Sequence, residues 1–508
     1  MILFRDDHLL AVDKPAGMAA EAERSGELGA VEWLALHLGE AVCPTGRLER
    51  GASGVFLCTG TGTQKLEGRA VYDLISHVDV RILGRDDVWT CTDPLGDAVP
   101  PIRFERIDAS DGFVFYRADA EVGDSDRIRR LAASSGVPLL GDGSAGGRTW
   151  PRLGLHCAEI VCNDFSVPMT APTPPSFAAL AEGRDPAFDL CCDRRGRWLS
   201  AITDAFRAVH RDEIPGLPAA VDVYGDWFDG VWFDESVDLD TARAALEPIL
   251  VRTAATYGCR GGTMRIHRRN PHQRTLVTET TIVGETPPAR FTVREHDLRY
   301  EVSLTETQHT GLFLDQRDTR RRLAVMAAGK RLANLFAYTC SFSVAATAAA
   351  AEVAFSVDVA RACLSTGMTN FELNGLTETK RGKFVQQDVR KWLQRQQRRR
   401  RERPEEFQPF DLIVCDPPVF ASSKDGGSFS VEKEWRPLAL AAAELLADGG
   451  VAVFANNHRG GDHQEYLRAV IDAFGTAVEL SPPLDFPTGP DDPHHVRTFW
   501  CGRGPGGA

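Results

Sequence analysis

The chain has 508 residues, a net charge of -13, 43% hydrophobic and 25% charged residues. That length exceeds one hydrophobic core and predicts about two to four ordinary globular domains. The acidic balance excludes a chain coated in basic residues for nucleic acid but leaves room for local phosphate-binding patches, and the most apolar run, around Ser341 to Ala351, is too short to span a bilayer.

Twelve cysteines are scattered without C-x-x-C pairs at zinc spacing, so no metal site is expected. The start, Met1 to Asp7, turns charged too early for a secretory signal. The thiols are therefore read as reduced and the chain as cytoplasmic, with no membrane partner.

Leu9 to Met18 reads as a short strand entering a turn at Pro15 and Gly17. Arg47 to Leu57 is a polar loop feeding an apolar strand. Gly123 to Leu131 has helical spacing, and Arg152 to Cys157 begins another strand. In that order, roughly residues 1–165 resemble the RNA pseudouridine synthases with the signature H-R-L-D-x-x-[ST]-G. The family's catalytic Asp falls on Glu49, and the preceding His falls on Gly46. Its later G-R-x-H-Q-I-R falls on Gly123 to Arg129. There Asp124 replaces an Arg, Asp126-Arg127 replace His-Gln, and Arg129 remains. A catalytic carboxylate lengthened by one methylene is misplaced, and small misplacements cost orders of magnitude. The resemblance thus implies an α+β domain that has lost its chemistry. It either holds RNA or packs as a remnant.

Residues 166–194 are rich in Pro, Ala and Thr and read as a linker. From Arg197 to His210 the pattern is amphipathic and helix-like. Ala219 to Phe233 reads as two strands about a turn containing Gly225, and Leu239 to Val251 as a helix. A small α+β domain is expected over 195–290, its aromatics serving as core. A main domain over 291–502 and a glycine-rich tail over 503–508 complete the chain.

In the last two hundred residues strand and helix alternate with short links. Strands are expected over 331–337, 353–358, 383–388, 410–416 and 450–457, each followed by a helix. This pattern predicts an α/β, doubly wound, Rossmann-like parallel sheet. Asp358, Asp388 and Asp416 end successive strands. Such acids suit a nucleoside-bearing cofactor, one accepting the ribose hydroxyls and the next an adenine N–H. The first turn, Asn334 to Ser343, has neither glycine nor a Walker lysine, so nothing there cradles a pyrophosphate. S-adenosylmethionine is the expected cofactor. Asp416-Pro417-Pro418-Val419-Phe420 leaves its strand through two prolines, which lack N–H groups. A carboxylate, a stiff loop and an aromatic face suit a flat base.

These pieces, over about 195–502, resemble a class I methyltransferase of the 23S rRNA guanine-N7 type, the C-terminal half of a larger bifunctional bacterial enzyme. The matching stretches are Gly311 to Arg317, Asn334 to Thr339, Asp358, Leu373 to Leu376, Asp416 to Phe420 with Ser423-Lys424, and Phe454 to Asn457; Ile214 to Trp227 matches the small preceding domain. The resemblance implies cofactor binding by Phe313, Asp315, Arg317, Asn334, Phe336, Tyr338, Thr339, Asp358, Asp388 and Asp416. It implies catalysis by Asp416, Pro417, Pro418, Phe420 and Asn456 on ribosomal RNA. Where the family usually has Gly, this chain has Cys340, whose side chain is expected to crowd the cofactor. Relatives that make 5-methylcytosine carry a Cys after the fifth strand. Asn456-Asn457 stand there instead, and Cys415 points away from Asp416 by strand alternation, so covalent attack on cytosine is disfavoured. The run from Arg390 to Arg403 is the strongest basic patch, either a phosphate grip or a solvated helix face. Two other readings stay open: an RNA pseudouridine synthase fused to a methyltransferase-like domain, and a non-catalytic RNA-binding or ribosome-assembly factor.

Overall fold

A computed structural model of the chain describes residues 1–60, 66–77, 88–91, 100–110, 112–163, 167–269, 276–306, 309–423, 427–458, 461–487 and 496–503. The chain divides into two compact units. The first comprises Met1–Arg24, Leu28–Ile202 and Ala208–Leu217; the second comprises Ser25–Glu27, Thr203–Arg207 and Pro218–Ala508.

Among the described residues, the first unit is built on a ten-stranded sheet. Its main path runs Ile2–Arg5, Leu9–Lys14, Ser53–Thr59, Leu155–Cys162, Gly68–His77, Phe113–Glu121, Ile102–Ser110, Val88–Cys91. Lys14 is fully buried, and its ammonium donates to the carbonyls of Pro15, Met18, Glu49 and Ala52. Burial drives this ammonium down to about 7. Lys14 thereby ties the loop that carries Glu49 to the strand end beside it. The stretch 166–194, expected as a linker, instead carries the strand Met169–Thr170, the helix Pro175–Ala181 and the start of the helix Ala187–Ile202. Phe177, Leu180, Phe188 and Trp198 are buried there. Pro174 is the N-cap and Pro175 the first helical residue, where proline's missing N–H is harmless. The prolines therefore start a helix rather than mark a linker, and the expected boundary at 195 falls inside a helix.

In the second unit, a five-stranded sheet takes Ala205–Val209, Ala219–Tyr224, Trp227–Trp232, Gly261–Arg269 and Leu276–Gly284 in chain order. The helix Leu239–Tyr257 buries Leu246 and Leu250. The expected helix over 197–210 ends at Ile202, and Ala205–Val209 is a strand.

The main sheet begins with β1 (Arg331–Leu335), α1 (Ser341–Ala348), β2 (Val353–Asp358), α2 (Arg361–Leu373), β3 (Gly382–Gln386) and α3 (Val389–Glu402). It continues with β4 (Phe410–Cys415), α4 (Val431–Leu445), β5 (Leu446–Asn456), α5 (His463–Phe474), β6 (Gly475–Leu480) and β7 (Arg497–Arg503). Among the described residues its order is β3-β2-β1-β4-β5-β7-β6. The first five strands pair in parallel, whereas β7 runs antiparallel to both β5 and β6. The strand period of two sorts the core. Leu332, Leu412, Val414 and Val453 face one apolar layer, and Leu335, Ile413, Cys415 and Phe454 face the other. Among the described residues no helix is long and apolar enough to cross a membrane.

Arg317, expected at the cofactor, is instead fully buried. Its guanidinium forks onto Asp485 at 2.8 and 3.0 Å and reaches the Ala205 carbonyl at 3.1 Å. A planar bidentate donor suits this closed position, where it ties 485 and the strand at 205 to the start of its own helix. Removing it leaves Asp485 buried with its ion-pair partner gone. Arg317→Ala is therefore expected to destabilise the protein by roughly 3–5 kcal/mol, read as a lowered midpoint in urea denaturation.

Candidate active site

The chain leaves β1 through a turn that has no glycine yet adopts a glycine-like backbone. Phe336, Tyr338 and Cys340 take φ values of 56°, 48° and 62°. Each left-handed non-glycine residue costs roughly 1–2 kcal/mol. Neighbouring groups over-determine the turn. Asp358 accepts the Tyr338 N–H at 2.9 Å, and the Val357 carbonyl accepts the Ala337 N–H at 3.0 Å. Thr339 donates its hydroxyl to Gly311 at 2.6 Å and accepts from Asn370 at its carbonyl at 3.0 Å. Asn334 donates to Ser343, which also accepts from Ser356, so β1, α1 and β2 are pinned beneath the turn.

Cys340, expected to crowd the cofactor, points elsewhere. It is fully buried in the core beside Leu364 and Phe371. A Cβ built on Gly367 of α2 would sit 2.4 Å from its sulfur. Gly367 makes the room that Cys340 occupies.

Over the carboxyl ends of β1 to β4 lies a cavity of about 670 Å³, within the range of small-molecule and cofactor sites. Of the site residues named from sequence, Phe313, Asn334, Phe336, Tyr338, Asp358, Asp388, Asp416, Pro417, Pro418 and Phe420 line it. The Phe313 and Tyr338 rings lie 5.2 Å apart, and Phe336 and Phe429 lie 5.3 Å apart. Asp315, Arg317, Thr339 and Asn456 are absent from the lining. Thr339 and Arg317 hold backbone, as described. Asn456 is buried, and its carboxamide oxygen accepts the His458 N–H at 2.8 Å. The next residue, Asn457, lines the cavity instead. Sequence reasoning also missed Gln316, Arg320, Val359, Val389, Arg390 and Phe429. Gln316, Val359 and Val389 each flank a residue named from sequence; Phe429 comes from the hairpin Phe420–Ser423/Gly427–Ser430, which no periodicity announced. The side chain of Ser423, and Lys424 altogether, lie outside the described residues.

The three acids differ in what surrounds them. Asp358 accepts backbone N–H bonds from Tyr338 and Ala360, yet burial outweighs them and raises its pKa. Asp388 caps α3 through the Arg390 and Lys391 N–H groups and pairs with the Arg390 guanidinium at 3.0 Å. Desolvation opposes these bonds, but together they hold its carboxyl below the usual range. Asp416 has no protein hydrogen bond among the described residues, and burial, reinforced by Asp315 and opposed by Arg320, pushes it to about 7. Asp315 thus acts on this site through charge. Arg320 is itself held by Glu295 at 2.8 and 2.5 Å. Cys415 does not line the cavity and is fully buried in the apolar layer with Ile413 and Phe454, and burial raises its thiol far above the ordinary value.

In the first unit, folding brings Glu49 and Arg129 together. Arg129 grips Asp142 at 2.9 and 3.0 Å and stands 3.6 Å from Glu49.

A doubly wound sheet, a cavity on its carboxyl rim and acids at consecutive strand ends define a class I methyltransferase. The comparisons agree: the chain belongs to the S-adenosylmethionine-dependent methyltransferase family, whose model matches residues 217–470. S-adenosylmethionine is its cofactor, and the aromatic cavity with its acids fits that group. Ribosomal RNA large subunit methyltransferase K of Neisseria meningitidis is 36% identical over 262 residues, 50% of this chain and 70% of that protein. Ribosomal RNA large subunit methyltransferase K/L of Pseudomonas entomophila is 34% identical over 277 residues, 54% of this chain but 36% of that protein. A crystal structure of a methyltransferase complexed with S-adenosylhomocysteine aligns at TM-score 0.52 and 26% identity, over 66% of this chain and 83% of that one.

The fit between Cys340 and Gly367 can be tested by stability. Alanine in place of a helical glycine ordinarily stabilises by roughly 0.5–1 kcal/mol. Here Gly367→Ala is expected to destabilise by roughly 1–3 kcal/mol through overpacking. Adding Cys340→Gly is expected to restore the ordinary sign. Urea denaturation of the single and double variants measures both.

Proposed function

We propose that this chain transfers a methyl group to a nitrogen of a base in large-subunit (23S) ribosomal RNA, guanine N7 foremost. The observation that carries this reading is Asp416: a half-buried, desolvated carboxylate with no hydrogen bond among the described residues, at the cavity, followed by Pro417-Pro418 and by Phe420, which is 67% exposed. An acceptor left unsatisfied by its own protein suits a donor edge brought from outside. The RNA class comes from the relatives, which are ribosomal RNA large subunit methyltransferases.

When bound, S-adenosylmethionine supplies an electrophilic methyl group. Asp358 would accept the ribose hydroxyls with its remaining lone pairs, and Asp388, fixed by Arg390, would accept an adenine N–H. Phe313, Phe336 and Tyr338 would exclude water from the cofactor. On the substrate side, Asp416 would accept guanine N1–H and N2–H, Pro418 would hold the base edge, and Phe420 would stack on its face. N7 carries an in-plane lone pair, so no proton need be removed there; alignment does the work. Methylation makes guanine cationic, and an ionised Asp416 on N1–H offsets that charge. A base inside a duplex must first be unstacked, at a cost of a few kcal/mol.

The sign of the pH dependence follows. Asp416 must be ionised to accept both N–H groups, and its pKa is about 7. Methyl transfer to unmodified large-subunit rRNA is expected to fall roughly tenfold per pH unit below about 7, with S-adenosylmethionine affinity little changed. Asp416→Ala is expected to abolish transfer, and Asp416→Asn to leave a weak activity without that pH dependence. Wild-type activity in Asp416→Ala would overturn the assignment.

We further propose that the region expected as pseudouridine-synthase-like, residues 1–165, holds RNA without acting on uridine. Arg129 is engaged by Asp142, and Glu49 Oε2 is buried with no hydrogen-bond partner among the described residues. Tritium release from RNA labelled at uridine C5 is expected to be absent; release lost in Glu49→Ala would reverse this reading.

A further inference from the structure

We infer that the exposed face of α3 is the track that grips the RNA phosphate backbone as the target base enters the cavity. This rests on the RNA reading above and adds where the polyanion lies. The helix is 14 residues long, about 21 Å at 1.5 Å per residue. Its first turn is part of the site, since Asp388, Val389 and Arg390 line the cavity. Val389, Trp392 and Leu393 face the core, leaving Lys391, Arg395, Arg398, Arg399 and Arg401 exposed. At 100° per residue, Lys391, Arg395 and Arg398 fall on one stripe within about 60°. The basic face therefore starts at the rim of the cavity and continues away from it without a break.

Two bland explanations cover only part of this face. Cations near a helix C-terminus complement its dipole, which accounts for Arg399, Arg400 and Arg401. It does not account for Lys391 in the first turn, where a cation opposes the dipole. Nor does it account for Arg395 in the middle. Intrahelical ion pairing fares no better. Arg398 pairs with Glu402 at 2.8 Å, but Arg395 and Arg401 make no ion pair among the described residues. Glu402 is the one acid within the helix. Like charges meet instead at 391/395, 395/398, 395/399 and 398/401, and such neighbours are destabilising. In a chain of net charge -13, a cationic stripe that leads from the cofactor cavity along a helix holding a single acid complements a polyphosphate. An RNA backbone relieves the repulsion, and the helix's cations release counterions condensed on the RNA.

The test uses the full chain, a protein-free large-subunit rRNA transcript and a salt titration of binding. The triple variant Arg395→Gln, Arg398→Gln, Arg401→Gln is compared with the same positions changed to Lys. Each lost phosphate contact lowers the slope of log Kd against log salt by about 0.7–0.9. The Gln variant is expected to lose about two units of slope and to bind at least about tenfold more weakly at 0.15 M salt. The Lys variant is expected to keep both, because charge rather than a forked geometry is what the backbone reads. S-adenosylmethionine affinity, read by calorimetry, is expected to stay the same in both, which excludes unfolding. If the Gln variant keeps the wild-type slope and Kd while wild type binds and methylates the transcript, the assignment of α3 falls alone. If the Lys variant loses slope with the Gln variant, the charge-based account falls. If wild type shows neither salt-dependent binding nor transfer, the RNA reading itself falls.

Discussion

The glycine-free turn between β1 and α1 sets the rest of the catalytic unit. Three left-handed residues in five positions place Phe336 and Tyr338 on the cavity wall and send Cys340 into the core. Strain of this kind persists only where surroundings over-determine it. Here the surroundings are Asp358 on β2, Asn370 on α2 and Gly311 on the preceding segment, each bonded to one residue of the turn. Asp358 therefore does two things at once: it fixes the backbone and presents its remaining acceptor capacity to the cavity.

The three strand-end acids show how one residue type is set to different tasks by its environment. Asp388 is satisfied and charge-compensated. Asp358 is bonded to backbone but desolvated. Asp416 is desolvated and has no hydrogen bond among the described residues. That ordering runs from the side of the sheet that suits the cofactor's adenosine to the side where a substrate base would sit. The acid with no hydrogen-bond partner among the described residues is the one followed by a double proline and an exposed aromatic ring, neither of which can satisfy a carboxylate.

Much of the main sheet was legible because hydrophobic period and turn signals are local. β2 falls on the expected residues, the other parallel strands within about four, and each is followed by the expected helix. The antiparallel β6 and β7 were not seen, because their register is set by pairing with β5 rather than by any local pattern. The helices at 175–202 were hidden by prolines that sit at a helix start, where composition alone cannot tell them from a linker. Residues on strand ends and on the Pro-Pro loop do line the cavity, since motif order fixes where a strand delivers its last side chain. Arg317, Thr339 and Asn456 were misjudged because their neighbours in space, Asp485, Gly311 and His458, decide whether a polar side chain faces ligand or protein. Two of these lie on the flanks of a correctly read motif, Asn456 beside Asn457 and Thr339 beside Tyr338. The positive φ values of the first turn left no trace, because the usual sign, glycine, is missing.

The catalytic unit is not one uninterrupted stretch of chain. Ser25–Glu27 belongs to it, and the Gly26 carbonyl accepts from the Ser481 N–H at 3.2 Å and from Arg322 at 3.3 Å. Thr203–Arg207 belongs to it as well, and supplies both the carbonyl at Ala205 for Arg317 and the N–H at Arg207 for Asp485. Recombination between genes works by splicing contiguous segments. A splice at any single point after residue 207 would therefore inherit a methyltransferase with pieces of its own framework left behind, so this architecture resists being traded as an interchangeable cassette.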